Sequence, residues 1–198
     1  MSTSFAANRF APLGSSSRGA PPIMLVRALL ALVWAAALVA VVGGDVTSTS
    51  SDVPTGAAAL LASYPVIDVL ASIVGARGTG SSGRALRINA ALSSSAIVAI
   101  VVTASASDVG AVLVAFGAWA AVSGAIQLAL AIRRHRAQGR QLPLIVSGGL
   151  STIAGIAFIA GSGMDHAHLA MVAGYMALGA LLFLLSAVLT PTAAPTGR

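Results

Sequence analysis

Residues 109–132 read VGAVLVAFGAWAAVSGAIQLALAI, residues 133–140 read RRHRAQGR, and residues 142–161 read LPLIVSGGLSTIAGIAFIAG. Two uncharged, mostly apolar runs thus flank a short basic loop. Each run is as long as the roughly 20 residues that cross a hydrocarbon core of about 30 Å at ~1.5 Å per residue. Backbone groups in that core must be satisfied within their own segment, so each run is expected to be a helix. Barrel strands alternate polar and apolar positions, and these runs are continuously apolar. The stretch therefore reads as one membrane crossing, a turn, and a crossing back.

Four further runs of this kind lie at 23–42, 57–76, 88–104 and 168–189. The run at 88–104 is short and polar, with Asn89, Ser93, Ser94 and Ser95, so its neighbours are expected to shield it inside the bundle. The polar stretches 1–21 and 191–198 read as tails, the first disordered. A signal-peptide reading of 23–42 is set aside because its apolar core exceeds a usual h-region. The whole chain is 57% hydrophobic and 8% charged, with mean hydropathy +0.94. A soluble domain carries about 25% charged residues, so soluble folds, disordered chains and nucleic-acid modules are excluded together. The fold class expected is all-α, a membrane bundle of six transmembrane helices spanning 22–190 as three tandem helical hairpins at about 23–76, 88–132 and 142–189.

Charge placement sets the orientation. Arg9 and Arg18 precede the first run, Arg77, Arg84 and Arg87 separate the second and third, and Arg133, Arg134, Arg136 and Arg140 separate the fourth and fifth. Arg198 follows the sixth, whereas the alternate loops hold Asp45, Asp52, Asp108 and Asp165 and no Lys or Arg. The positive-inside rule then predicts a plasma (inner) membrane protein with both termini and both basic loops in the cytoplasm. Arg133, Arg134 and Arg136 are placed to meet anionic lipid headgroups as well as to anchor topology.

An internal repeat runs through the helices. Arg27-Ala-Leu-Leu-Ala-Leu aligns with Arg87-Ile-Asn-Ala-Ala-Leu, and Tyr64, Trp119 and Tyr175 recur about 55 residues apart. Asp68, Ser123 and Gly179 follow each aromatic at the same i+4 step, on the same helical face.

Phe116-Gly-Ala-Trp119-Ala-Ala-Val-Ser123-Gly124, the basic loop that follows, and Ile145-Val-Ser147-Gly148-Gly149 together resemble the HdeD-like family of small bacterial six-span membrane proteins. Tyr64-Pro-Val-Ile-Asp68 is similar to the family's aromatic-to-Asp segment, although Val69 stands where the family favours Gly. The resemblance covers roughly residues 23–189. It implies repeated helix pairs and, by the family's association, tolerance of acid or envelope stress, with no defined molecular activity.

Candidate sites are few, because the chain has no Cys, Lys or Glu. Gly117, Ala121 and Ala125, and Ser147, Ser151 and Gly155, repeat at i+4 and are expected to pack helices closely rather than line a groove. Arg27 and Asp68 both enter the membrane at estimated depths of roughly 6 and 12 Å. Three arrangements satisfy them: a pair near Tyr64 and Asn89, an Arg27 that snorkels while Asp68 takes hydroxyl partners, or an Asp68 that handles protons. Asp165, His166 and His168 form an outer loop able to sense acid, while their spacing and the lack of a fourth ligand argue against a metal. Trp34 and Trp119, both mid-span, read as packing residues.

No catalytic constellation, cofactor motif or metal set is present, so a non-enzymatic membrane protein is expected, with its oligomeric state, homo-oligomers included, left open. The alternative is a small transporter or channel component for protons or small solutes. What separates the two is whether intramembrane polar groups line a wet path.

Overall fold

The computed structural model describes residues 20–42, 52–76, 81–138, 141–164 and 168–189. They form six helices and, among the described residues, no strand: α1 (Ala20–Val42), α2 (Thr55–Gly75), α3 (Ser81–Ala106), α4 (Val109–Gln138), α5 (Leu142–Gly161) and α6 (Ala170–Leu189). The tails expected at 1–21 and 191–198 lie outside the described residues, except that Ala20 and Pro21 already belong to α1. Prolines in a first helical turn forfeit no intrahelical hydrogen bond, which lets the helix begin there.

Two helices outrun their apolar cores. α3 starts seven residues before the expected 88 and takes in Arg84 and Arg87, and α4 continues six residues past 132 through the basic cluster. Arginine is a good helix former, and His135 and Arg136 in the last turn of α4 complement the negative end of its dipole. At the other end of α4, Asp108 Oδ1 accepts the Ala111 N–H at 2.8 Å and caps the helix.

Among the described residues, four helical stretches are long and apolar enough to cross a membrane: Thr55–Ile73, Gly83–Ala106, Val109–Arg136 and Leu142–Gly161. The outer surface agrees with that character. Leu29, Val33, Leu70, Val98, Ile153 and Leu181 are all exposed, whereas Ser72, Asn89, Ser93 and Ser123 are buried. Apolar outside and polar inside is the arrangement that lipid favours and water does not.

The main apolar cluster takes Leu38 and Val42 from the end of α1, Leu61 from the start of α2, Ile100 from late α3, Leu113 from early α4, Phe158 from late α5 and Val172 from early α6. Consecutive helices are therefore antiparallel. One end of the bundle, next to Asp52 and Asp108, is filled by apolar side chains, and the other end carries Arg84, Arg87, Arg133, Arg134 and Arg136.

The most extensive helix pairings are α4 with α5, α1 with α6, and α2 with α3. The seams inside the first and third expected hairpins, α1–α2 and α5–α6, are the loosest of the six neighbouring pairs. Small residues explain the tight α4–α5 seam. A Cβ on Gly124 would stand 2.7 Å from Ser151 Cβ and from the Thr152 nitrogen, and one on Gly148 would stand 2.7 Å from the Leu128 nitrogen. A Cβ on Gly155 would collide with the Ala121 nitrogen and the Gly117 carbonyl. The two backbones touch, so dispersion contacts accumulate without lipid between them.

Candidate functional site: a carboxylate between two cavities

The structure places Asp68 in α2 opposite α3 and α4, and three side chains bond one of its oxygens. Asn89 Nδ2 donates to Asp68 Oδ2 at 2.7 Å, Ser93 Oγ at 2.7 Å and Ser123 Oγ at 3.1 Å. Behind them, Trp119 Nε1 donates to Ser93 Oγ at 2.9 Å and Asn89 Nδ2 also donates to Ser72 Oγ at 2.9 Å. Helical spacing assembles this cluster, since Asp68 with Ser72 and Asn89 with Ser93 are each i, i+4 pairs on facing helices. Ser93 and Ser123 lie at the midpoints of α3 and α4, so the cluster stands at the centre of the bundle.

One member is left incomplete. Asn89 is 5% exposed, and its Oδ1 is buried without a hydrogen-bond partner among the described residues. An orphaned buried acceptor costs on the order of 1–3 kcal/mol. Asn89 borders a cavity of about 210 Å³ whose wall also includes Asp68, Ser72, Ser123, Gln127 and, at the basic end, the exposed Arg134. A polar cavity of that size holds several waters, and one water on Asn89 Oδ1 removes the deficit.

A second cavity, of about 90 Å³, meets the same carboxylate. Its wall includes Tyr64, Asp68, Trp119, Ser123, Tyr175 and Gly179. All six positions of the sequence repeat thus converge on one space, with the aromatic of each even-numbered helix one turn from its Asp, Ser or Gly. Ser151 and Tyr175 hydroxyls share a 2.8 Å hydrogen bond at the edge of this cavity.

An aromatic layer separates these cavities from the apolar end. Tyr64 meets Trp119 at 6.0 Å and Phe116 at 6.2 Å, Phe116 meets Trp119 at 5.2 Å and Phe158 at 6.2 Å, and Phe158 meets Tyr175 at 5.8 Å between ring centroids. Tilted and edge-to-face contacts of this kind add about 0.5–1.5 kcal/mol each beyond burial. The rings come from α2, α4, α5 and α6 and cross the bundle. Both cavities lie on the basic side of this layer.

Several sequence expectations are placed differently. Only part of the polar face of α3 turns inward: Asn89 and Ser93 are buried, but Ser94 and Ser95 are exposed and donate to the Ala90 and Ala91 carbonyls of their own helix. Back-bonding to i−4 carbonyls lets a hydroxyl face lipid without a partner helix. In the small-residue stripes, Gly117, Ala121, Ser151 and Gly155 meet at the α4–α5 seam. Ala125 is exposed and Gly124 takes its place, while Ser147 lines the smaller cavity and Gly148 takes the contact. The register drifts because 3.6 residues per turn do not divide evenly into steps of four.

Asp68 has uncharged donors from Asn89, Ser93 and Ser123, and Tyr64 is near it as a fellow wall residue. The side chain of Arg27 lies outside the described residues, as do Asp165 and His166; His168 is half-buried. No cluster of three metal-ligating side chains occurs among the described residues. Trp34 packs against the core and donates to Ser63 Oγ at 2.9 Å. Ser72 is a site residue that sequence reading missed; the i+4 step from Asp68 to Ser72, facing the same step from Asn89 to Ser93, is the signal that points to it. Comparison with known proteins finds no matching family, no matching curated protein and no matching solved structure.

Proposed function

We propose that this chain is a non-enzymatic, six-span plasma (inner) membrane protein, three tandem hairpins with both termini in the cytoplasm, that binds a proton or small solute at Asp68 and carries it across the bilayer. One observation carries this reading. Two cavities on one side of the aromatic layer converge on a single carboxylate, and the far side is filled by apolar core. Access from one face only is what a carrier caught in one of its two states presents.

On sequence alone, the scarcity of intramembrane polar groups weighs toward a protein without transport. The gathering of Ser72, Asn89, Ser93, Ser123 and Gln127 around Asp68 reverses that weight, because a carboxylate inside the hydrocarbon is costly and marks a solute or proton pathway. The resemblance to HdeD-like proteins supports acid or envelope stress as the setting. Arg134, in the wall of the larger cavity, and its exposed neighbours Arg133 and Arg136 are offered to anionic headgroups.

Purified protein in sealed proteoliposomes with an imposed pH gradient tests the reading. A trapped pH-sensitive dye should report proton flux above that of empty vesicles, reduced to their level by Asp68→Asn. Flux equal to empty vesicles, with and without added solutes, or flux unchanged by Asp68→Asn, overturns it.

A further inference from the structure

We propose that the smaller cavity is a binding site for a small substituted ammonium cation, with Asp68 as its counter-charge and Tyr64, Trp119 and Tyr175 as its aromatic wall. The inference rests on the reading of Asp68 as the solute-binding carboxylate and names the solute's chemistry. Among the described residues of this wall, Asp68 carries the only formal charge. The larger cavity differs, because Arg134 stands in its wall. A cation in the smaller cavity would thus meet Asp68 without Arg134 in the same wall.

Aromatic faces attract cations through the ring quadrupole, and the attraction strengthens where water is excluded. Three aromatic residues from three helices beside one carboxylate supply both terms. The hydrogen bonds that Asn89, Ser93 and Ser123 give Asp68 all meet Oδ2. A bare metal ion would need several oxygen lone pairs directed at one point. Here Asn89, Ser93 and Ser123 direct hydrogens at the carboxylate instead.

The wall also selects for apolar substituents. Leu178, 47% exposed on the flank of the bundle, belongs to the cavity wall, as do Leu150 and Leu182 beside the loose α5–α6 seam. The wall on that flank is therefore apolar, whereas the wall of the larger cavity includes Arg134. At about 90 Å³, roughly three waters at ~30 Å³ each, it takes the ammonium head of a small cation such as choline. Gly179 belongs to the wall of this space, and a Cβ added there would meet nothing within 4 Å.

The test is ligand binding by the full-length protein in detergent. Trp34→Phe leaves Trp119, in the cavity wall, as the sole tryptophan reporter. Choline and its neutral carbon isostere, 3,3-dimethylbutan-1-ol, are titrated in parallel. A saturable fluorescence change with choline is expected, at least tenfold weaker with the neutral isostere and at least tenfold weaker in Asp68→Asn. Gly179→Leu, which adds bulk at the cavity wall away from the carboxylate's hydrogen bonds, should weaken choline binding at least tenfold at an unchanged unfolding temperature, so the test stands if Asp68→Asn does not fold. Equal binding of the isostere, no choline response, or full choline affinity in Gly179→Leu overturns the site. Proton flux without choline binding overturns this inference alone, whereas choline binding without any flux supports it and overturns the carrier reading.

Discussion

Trp119 fixes the direction of Ser93's hydrogen bond: its indole N–H donates to Ser93 Oγ at 2.9 Å, which leaves the serine proton for Asp68 Oδ2 at 2.7 Å. A residue of the aromatic layer thereby orients a donor on the carboxylate one turn away, and the layer and the charge are one structural unit. Ser93→Ala removes a donor from a half-buried carboxylate and strands the buried indole N–H. It should cost about 1–3 kcal/mol, read as a lower unfolding temperature in detergent. Trp119→Phe loses the donor and also part of a buried, closely packed ring, so it should cost as much as Ser93→Ala or more.

Arg27→Gln should change stability by less than about 1 kcal/mol, as for a charge that snorkels to the headgroups, because Asn89, Ser93 and Ser123 already satisfy Asp68 Oδ2. Unfolding of the single variants and of Arg27→Gln combined with Asp68→Asn gives the coupling. A loss of about 3–5 kcal/mol in either single variant, largely recovered in the double, would instead make Arg27 the counter-ion of a buried pair.

Gly155→Leu should break the α4–α5 seam, since even a methyl there collides with the Ala121 and Gly117 backbone. The expected loss is at least the 1–3 kcal/mol of ordinary overpacking, seen as aggregation or absent folded protein after extraction. Gly149→Ala, where an added Cβ meets nothing within 4 Å, should be neutral within about 0.5 kcal/mol. Equal outcomes for the two variants would contradict close backbone packing at this seam.

Fusions of a compartment-specific reporter after Arg140 should report the cytoplasm, and fusions after Ser48 or Asp165 the opposite side. The basis is the confinement of arginine to alternate connections. Inverted signals would reverse the face to which the cavities open.

Helix number, order and antiparallel alternation were all legible in the sequence, because hydrocarbon leaves the backbone no other way to satisfy its hydrogen bonds. So was the repeat of Tyr64, Trp119 and Tyr175 with Asp68, Ser123 and Gly179, which turned out to line one cavity. What could not be read was the azimuth of each helix. Ser93 turns inward and Ser94 outward although they are neighbours of the same type, and that choice depends on which helix stands opposite. Nor could the extent of each seam be read: α1 closes mainly on α6 rather than on α2. Chain order says which helices are joined, and small-residue contacts decide which are pressed together.

The central claim is that Asp68 is reached from the basic end of the bundle and sealed from the other by the aromatic layer. The chain has no cysteine, so a single cysteine can be read without background. Gln127→Cys lies in the wall of both cavities, and Leu113→Cys lies in the fully buried apolar core beyond the layer. With a membrane-impermeant thiol reagent, Gln127→Cys should be labelled in inside-out vesicles and protected in right-side-out ones, while Leu113→Cys stays unlabelled in both. Labelling of Gln127→Cys from the outer face alone, or of Leu113→Cys as fast as Gln127→Cys, would contradict one-sided access to the carboxylate.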